Sequence, residues 1–188
     1  MATTLPWTIA DLELFPDDGN RYEIIDGELH VSTQPDWHHQ FVTGSIGAAL
    51  NDWSSVPSLG IAIPAPGIIF AQDNAVAPDV VWVSAGRYEV VLGGDGKLHA
   101  APDLAVEVLS PGSKNEQRDR EAKLRLYSRQ GVREYWIVDW RQREIQVYRR
   151  DQAVLQLVVT LHTPDLVTSP LLPGFAASVE QLLGTMPV

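Results

Sequence analysis

The chain has 188 residues, of which 45% are hydrophobic and 20% charged, a composition that predicts one globular domain spanning residues 1–188. It contains no cysteine, which excludes disulfides, thiolate zinc sites, iron–sulfur clusters and cysteine nucleophiles. A formal net charge of −10 argues against nucleic-acid binding over the whole surface, because phosphate contacts depend on Lys and Arg. No apolar run approaches the roughly 20 residues of a membrane span and no secretory signal is recognisable, so we expect a cytoplasmic protein.

The first third of the chain predicts a short helix, a β-hairpin and a long helix. Thr8 precedes ADLELF as an N-cap, with Asp11 in the place of a capping-box acid. The run RYEIIDGELHVS alternates around the pair Asp26 and Gly27, which favours a tight hairpin turn. Asp36 can cap a helix over residues 37–53, whose apolar residues recur at helical spacing at Phe41, Ile46, Ala49, Leu50 and Trp53.

The rest of the chain predicts a sheet interrupted by one charged helix. That helix, 118–130, ends at Gly131 as a C-cap and lies between two buried strands, as in a strand–helix–strand crossover. GGDG at 93–96 is a turn sequence, the stretch from Pro164 to Pro173 should run over the surface, and a last short helix is expected near 178–183. The predicted strands cover residues 60–70, 75–83, 103–109, 133–140, 144–149 and 153–160.

Two acidic residues interrupt apolar strand sequences. Asp79 lies in APDVVWV, Glu107 lies in PDLAVEVLS, and Lys123 follows on the charged helix. Carboxylates are costly inside apolar strands unless a cation pairs with them, so the order acid, acid, lysine indicates a divalent-metal site. Taken singly, each residue has a simpler explanation: a solvated aspartate at a strand start, and a structural ion pair between the glutamate and an arginine.

Other polar and aromatic residues carry weaker signals. Asp119, Lys123 and Tyr127 are spaced by four, which by itself predicts only an exposed ion pair on a helix face. His38 and His39 are adjacent on a helix and point about 100° apart, so a structural or site-edge role is a better reading than transition-metal ligation. The strand tryptophans, for which core packing outweighs base stacking, are Trp82, Trp136 and Trp140. A basic face is expected from Arg118, Arg120, Lys123, Arg125, Arg129 and Arg133.

Several motifs together resemble the Uma family of restriction endonucleases, a branch of the PD-(D/E)XK nuclease superfamily. They are PDVVWV, APDLAVEVLSPGS, the D-x-x-x-K-x-x-x-Y run from 119 to 127, GVREYWIVDW, RYEIIDGEL, the His39-Gln40 pair and LLPGF. The likeness covers nearly the whole chain. It implies an α/β fold with a restriction-endonuclease-like αβββαβ core, a mixed central sheet flanked by helices, an N-terminal β-hairpin and extra C-terminal strands.

The resemblance also implies roles for particular residues. Asp79 and Glu107, helped by the backbone carbonyl of Val108, would bind Mg²⁺ or Mn²⁺, a hard cation that prefers oxygen ligands. The lysine usual in the superfamily would occupy position 109, which is Leu109 here, and the family pattern places it instead at Lys123. Further candidate members of the site are Glu23, His39 and Asp119.

The sequence therefore predicts a metal-dependent endonuclease that hydrolyses DNA, as a homodimer, because cutting both strands of a duplex requires two sites. Without a metal, Asp79 and Glu107 would repel one another, so the pKa of at least one should rise. An alternative is a catalytically degenerate nuclease fold that serves as a binding or regulatory module, which the acidic charge and Leu109 favour. A third reading is a metal hydrolase for another phosphoester.

Overall fold

The computed structural model describes residues 5–54 and 59–185 and is built from short strands and six α-helices in those ranges. In chain order the strands are β1 (Arg21–Ile25), β2 (Glu28–Ser32), β3 (Gly60–Pro64), β4 (Ile68–Ala71), β5 (Asn74–Val76), β6 (Val80–Ser84), β7 (Leu104–Val108), β8 (Glu134–Asp139), β9 (Glu144–Asp151), β10 (Val154–His162), β11 (Leu166–Ser169) and β12 (Leu172–Ser178). The helices are α1 (Ile9–Leu12), α2 (Trp37–Trp53), α3 (Tyr88–Val91), α4 (Ser113–Gln117), α5 (Leu124–Gln130) and α6 (Val179–Leu183). Within the described ranges no helix combines the length and the apolar character that crossing a membrane demands.

A mixed six-stranded sheet forms the centre of the molecule. Its strand order is β10-β9-β8-β7-β6-β3, in which β7 and β8 are parallel and all other neighbours are antiparallel. A second sheet, β2-β1-β5-β4, contains the N-terminal hairpin, and β11 pairs with β12. The core order αβββαβ consists of the helix α2, the strands β3, β6 and β7, the interrupted helix α4–α5 and the strand β8, with β4, β5 and α3 inserted between them. The predicted mixed α/β fold is confirmed.

Two hydrophobic clusters cover the two faces of the central sheet, because successive side chains of a strand point to opposite faces. Val106 and Val108 belong to the cluster built with α2, α6 and β12. Ala105 and Leu109 belong to the cluster built with α5 and the second sheet. Each fully buried aliphatic side chain contributes about 1.5–3 kcal/mol. Glu107 lies two residues from Ala105 and two from Leu109, so its side chain points to the same face of the sheet as theirs. This is the face on which α5 packs.

The helix α2 begins where the sequence predicts, with the Asp36 carboxylate accepting a hydrogen bond from the His39 backbone N–H at 3.0 Å. Of its predicted apolar stripe, Ile46 and Leu50 are buried and Ala49 and Trp53 are partly buried, but Phe41 is replaced by Val42. Val42 is fully buried with Ile46 and Leu50, whereas Phe41 is 39% exposed. A shift of one residue rotates a side chain by about 100° around the helix, which accounts for the exchange.

The charged helix begins at Ser113 rather than at residue 118, and it is not a uniform α-helix. Between α4 and α5, the residues Arg118–Lys123 wind as a π-helical segment, a widening of the helix that often accompanies functional sites. Asp119 and Lys123 are both buried within this segment, so the exposed ion pair suggested by their spacing alone is not formed. The helix ends at Gly131 with φ of 93°, as predicted.

The prediction of a surface tail from Pro164 to Pro173 is wrong. The strands β11 and β12 pair over this stretch, and Val167 and Leu172 are buried against the α2 side of the sheet. Proline fits here because a two-stranded sheet has only edge strands, and Pro173 is exposed in one of them. The final helix predicted near 178–183 is confirmed as α6.

Candidate active site

Asp79 and Glu107 lie side by side because β6 and β7 are antiparallel neighbours. Asp79 immediately precedes β6, and its backbone N–H donates to the Val106 carbonyl at 3.1 Å. Its carboxylate oxygen Oδ2 accepts a hydrogen bond from the Val108 backbone N–H at 2.8 Å. These two bonds fix the aspartate against the end of β7, and both acidic residues are buried there.

Lys123 reaches the two strands from the π-helical segment and is 0% exposed. Its Nζ contacts three carboxylates, at 2.9 Å from Glu107 Oε1, 2.9 Å from Glu23 Oε1 and 3.7 Å from Asp119 Oδ1. Burial alone lowers the pKa of Lys123, but the surrounding carboxylates outweigh burial and hold its pKa above the usual value. The ammonium group therefore stays charged. Leu109 is fully buried in the hydrophobic core.

Glu107 is the least compensated acid of the group. Its Oε1 accepts hydrogen bonds from Lys123 Nζ at 2.9 Å and from Tyr127 Oη at 2.8 Å. Burial raises the pKa of Glu107 to about 8, because the attraction of Lys123 is countered by the negative charges of the neighbouring acids. This is the direction predicted for two acids that face each other without a metal.

A histidine and an arginine hold the carboxylate of Asp79. His39 Nε2 lies 3.0 Å from Asp79 Oδ2, and Arg21 Nη1 lies 3.1 Å from Oδ1. Burial raises the pKa of Asp79, but the hydrogen bond from His39 and the charges of His39, Lys123 and Arg21 bring the pKa below its ordinary value. Asp79 is therefore an ionised carboxylate held in one orientation.

Arg118 joins Asp119 to Glu23. Its Nε lies 2.9 Å from Asp119 Oδ1, and its Nη1 lies 3.5 Å from Glu23 Oε2. Burial raises the pKa of Asp119 by more than Lys123 and Arg118 lower it. Burial acts on Glu23 in the same direction, but there Lys123, Arg118 and the Ala77 N–H prevail and the pKa is lowered. Glu23 Oε2 is buried and has no hydrogen-bond partner among the described residues.

The cluster has more acidic groups than permanent cations. Its four carboxylates are those of Glu23, Asp79, Glu107 and Asp119, and its three cations are Arg21, Arg118 and Lys123. A cavity of about 210 Å³ opens onto Asp79, Glu107, Val108 and Asp119. Burial holds Glu107 toward its neutral form, with a pKa of about 8, and a divalent cation beside it would favour the ionised carboxylate instead. The donors at this polar cavity are the oxygens that such a cation prefers.

The carboxylates are nevertheless not arranged as a preformed metal cage. In the part of the chain that the structure describes, no three acidic or histidine side chains converge as ligands of one ion. The reason lies in the contacts above, since Lys123 and Tyr127 occupy one oxygen of Glu107 and Arg21 and His39 occupy both oxygens of Asp79. The residues fit a hard cation in donor type and in charge, and binding requires these contacts to loosen.

All six side chains selected from the sequence meet in this cluster: Asp79, Glu107, Lys123, Glu23, His39 and Asp119. Sequence reasoning missed two arginines. Arg21 opens a hairpin strand and Arg118 stands among other arginines, so neither has a local pattern that separates it from a surface cation. Only their positions in the folded chain bring them to the cluster.

The expected basic face is largely neutralised by pairing. The arginines of the helix and of the loop after it bind acids in the ion pairs Arg118–Asp119, Arg120–Asp139, Arg125–Glu121, Arg129–Asp26 and Arg133–Asp103. Trp82 and Trp136 are core residues, as predicted. Trp140 is only partly buried and stacks on His38.

Comparisons with known proteins agree with this fold and with one family. The crystal structure of a "putative nuclease belonging to DUF820" from Anabaena variabilis ATCC 29413 is similar with a TM-score of 0.75 and 19% sequence identity. The similarity covers 95% of this chain and 98% of that one, and it shows the fold. No curated protein matches the sequence. The model of the Uma2 family, described as "Putative restriction endonuclease", matches residues 9–180. The chain therefore belongs to the Uma2 family.

Proposed function

We propose that this protein is a divalent-metal-dependent endonuclease that hydrolyses phosphodiester bonds in DNA. The observation that carries the proposal is that Asp79 and Glu107 line one cavity, while the buried Lys123 contacts Glu107 from behind it, with Nζ 2.9 Å from Oε1. Family membership supports a nuclease. The missing lysine at position 109 is replaced in space by a lysine that approaches from the following helix.

Asp79 and Glu107 would hold Mg²⁺ or Mn²⁺, with the Val108 carbonyl as a further oxygen at the end of the same strand. When bound, such an ion lowers the pKa of a water molecule and neutralises charge on the attacked phosphate. His39 and Arg21 keep Asp79 ionised and oriented.

Lys123 has two roles in this proposal. Its ammonium group keeps a positive charge beside Glu107, and from behind that residue it would stabilise the negative charge that grows on the phosphate during attack. Glu23 and Asp119 hold the ammonium group in position, and Arg118, which lines the cavity, offers a second charge to the phosphate.

A second cavity suggests how a longer substrate continues beyond the cluster. It has a volume of about 530 Å³ and shares Asn115 and Arg118 with the first. Lys114 and Arg125 also line it, together with Glu28 and Glu121, so its cations are partly paired and would add only a few phosphate contacts. We further propose that the active form is a homodimer, since two sites are needed to cut both strands of a duplex.

The experiment is cleavage of plasmid and single-stranded DNA by the purified protein with Mg²⁺ or Mn²⁺, before and after removal of metal with EDTA. We expect cleavage that EDTA abolishes and added metal restores. Asp79→Asn should be inactive, whereas Asp103→Asn should remain active. Asp103 lies just before β7, at the end of the β6–β7 pair that is opposite to Asp79. Absence of cleavage under all metal conditions by a folded protein would contradict the proposal.

A second candidate function is a catalytically degenerate nuclease fold that binds without cutting. The observation favouring it is that the described carboxylates form no preformed metal cage and already hold one another through Lys123 and the arginines. Calorimetry separates the two functions. The enzyme requires Mn²⁺ binding that Asp79→Asn removes, whereas the degenerate module requires no cation binding at this site.

A further inference from the structure

Three aromatic rings form a stacked column at the start of α2. The ring centroids of Trp37 and His38 are 3.6 Å apart with planes inclined by 26°, and those of His38 and Trp140 are 4.6 Å apart with planes inclined by 6°. The outer ring, Trp37, is 52% exposed, while His38 and Trp140 are partly buried beneath it. A large exposed aromatic ring held flat on other rings is an unusual surface feature, because exposed tryptophan leaves apolar area in water.

The column adjoins the candidate active site. Asp36 and His39, the residues on either side of Trp37 and His38, line the cavity that contains Asp79 and Glu107. Trp140 follows the end of β8, and β8 runs parallel to β7 with Val138 opposite Val108. The column therefore stands at the same end of β7 and β8 as the acidic cluster, and its chain neighbours Asp36 and His39, rather than the rings themselves, line the cavity.

Hydrogen bonds do little to hold these rings. His38 Nδ1 and Trp140 Nε1 are buried and have no hydrogen-bond partner among the described residues. Buried tryptophan N–H groups usually find a hydrogen-bond partner. Stacking, rather than hydrogen bonding, therefore positions these rings. The outermost ring, Trp37, therefore has one aromatic face open to solvent, on which another flat ring can stack.

A nucleobase is the ligand that matches such a face in a nuclease. Bases stack on aromatic side chains irrespective of sequence, as in proteins that bind single strands. Because the protein is acidic and its helix arginines are paired with acids, few cations are available to contact phosphates. Stacking should therefore supply much of the binding free energy. In a continuous duplex both faces of each base are covered by its neighbours, so only an unstacked base can use Trp37.

We propose that Trp37, backed by His38 and Trp140, is a stacking platform for the base of a nucleotide next to the cleaved phosphate. The inference rests on the proposed nuclease function and narrows its substrate. That substrate is DNA with an unstacked base at the site, in a single strand or at an unpaired position of a duplex.

The test is fluorescence anisotropy with a labelled single-stranded oligonucleotide of about 12 nucleotides in Ca²⁺, and with a set of oligonucleotides that each lack one base. For the wild-type protein we expect one abasic position to weaken binding by about 5- to 150-fold, the range for one stacked base. Trp37→Ala should weaken binding of the intact oligonucleotide by a similar factor and should lose the sensitivity to that abasic position. Trp37→Phe should retain most of both.

The matched control is Leu157→Ala, which removes an apolar side chain of similar exposure, 50%, from β10 at the outer edge of the sheet. It should bind as the wild-type protein does, and thermal unfolding should show all variants folded.

Two results overturn the inference, and they are distinguishable from each other. If the wild-type protein cuts DNA but no single abasic position matters, the platform is wrong while the nuclease proposal stands. The abasic series needs no variant, so this result can be read even if Trp37→Ala does not fold. If the wild-type protein neither binds nor cuts any oligonucleotide, the platform and the nuclease proposal both fail.

Discussion

The two ends of the β6–β7 pair carry the same tripeptide, Ala-Pro-Asp, in nearly the same backbone setting. Asp79 donates its N–H to the Val106 carbonyl at 3.1 Å and accepts the Val108 N–H at 2.8 Å. Asp103 donates its N–H to the Trp82 carbonyl at 3.1 Å and accepts the Ser84 N–H at 2.9 Å. Both aspartates are buried. Backbone geometry therefore does not distinguish them.

The neighbours of the two aspartates do distinguish them. Asp103 faces two arginines, with Arg133 Nη1 at 2.9 Å and Arg87 Nη1 at 3.1 Å from its Oδ1. Asp79 belongs instead to a group in which four carboxylates share three permanent cations, and the pKa of Glu107 there rises to about 8. At the Asp103 end of the strand pair, two arginines fully compensate one aspartate, and the ion pairs stabilise the fold. At the Asp79 end, the cations do not suffice to keep Glu107 ionised, and a divalent ion would do so.

We expect the largest difference in cleavage rate between Glu107→Gln and its matched control, Glu134→Gln. Both glutamates are buried in the central sheet, but Glu134 lies at the Asp103 end, bonded to Trp136 and Arg149. Glu107→Gln should lower the cleavage rate by about 100- to 10,000-fold without loss of stability, because burial already favours the neutral form of Glu107 and glutamine is neutral too. Glu134→Gln should keep the rate and lose about 1–3 kcal/mol of unfolding free energy. Cleavage kinetics and urea unfolding measure both, and the reverse pattern would contradict the assignment of the two ends.

Lys123→Met should give the largest effect on stability. Removal of the buried ammonium leaves Glu107, Glu23 and Asp119 facing one another, which should cost about 3–5 kcal/mol of unfolding free energy and abolish cleavage. Urea unfolding at neutral pH checks the stability, and Mn²⁺ added during unfolding should restore part of it. A variant as stable as the wild-type protein would show that Lys123 does not hold these acids.

Asp103 gives a pH dependence of known sign. Burial raises its pKa, but the Ser84 N–H, Arg133 and Arg87 outweigh burial and hold the pKa below its ordinary value of 3.8. The stabilisation is therefore fully present above pH 3.8 and is lost as the pH falls through the lower pKa of the folded state. Unfolding free energies of wild type and Asp103→Asn should differ most near neutral pH and converge in acid. A difference that grows in acid would contradict this account.

The smallest effect is expected for Arg133→Met. This side chain is 52% exposed, and its partner Asp103 keeps Arg87 and the Ser84 N–H. The loss of unfolding free energy should be below about 1 kcal/mol, with cleavage unchanged. Thermal unfolding at low and high salt measures it. A loss comparable with that of Lys123→Met would remove the contrast between the two ends.

The order of strands and helices was predictable because local patterns are strong along this chain. Alternation in RYEIIDGELHVS, the Asp36 cap and the apolar run 103–109 each predict an element that forms. The hairpin of β11 and β12 was not predictable in the same way, since its prolines indicate a loop and only tertiary contacts of Val167 and Leu172 stabilise pairing.

The acidic cluster was predictable in membership but not in geometry. The order of Asp79, Glu107 and Lys123 along the chain, read with the family pattern, points to the residues that meet. The same Ala-Pro-Asp motif at Asp103 carries no local mark of its different role. Arg21 and Arg118 reach the cluster from distant or crowded positions in sequence, so only the folded chain reveals them.

We propose that a divalent cation binds at the Asp79 end of the β6–β7 pair and not at the Asp103 end. The most direct measurement is a crystal soaked in Mn²⁺ and examined for anomalous scattering. We predict a peak about 2.0–2.6 Å from carboxylate oxygens of both Asp79 and Glu107. A fully soaked crystal with no peak between these two residues, or with its peak at Asp103, would contradict the account.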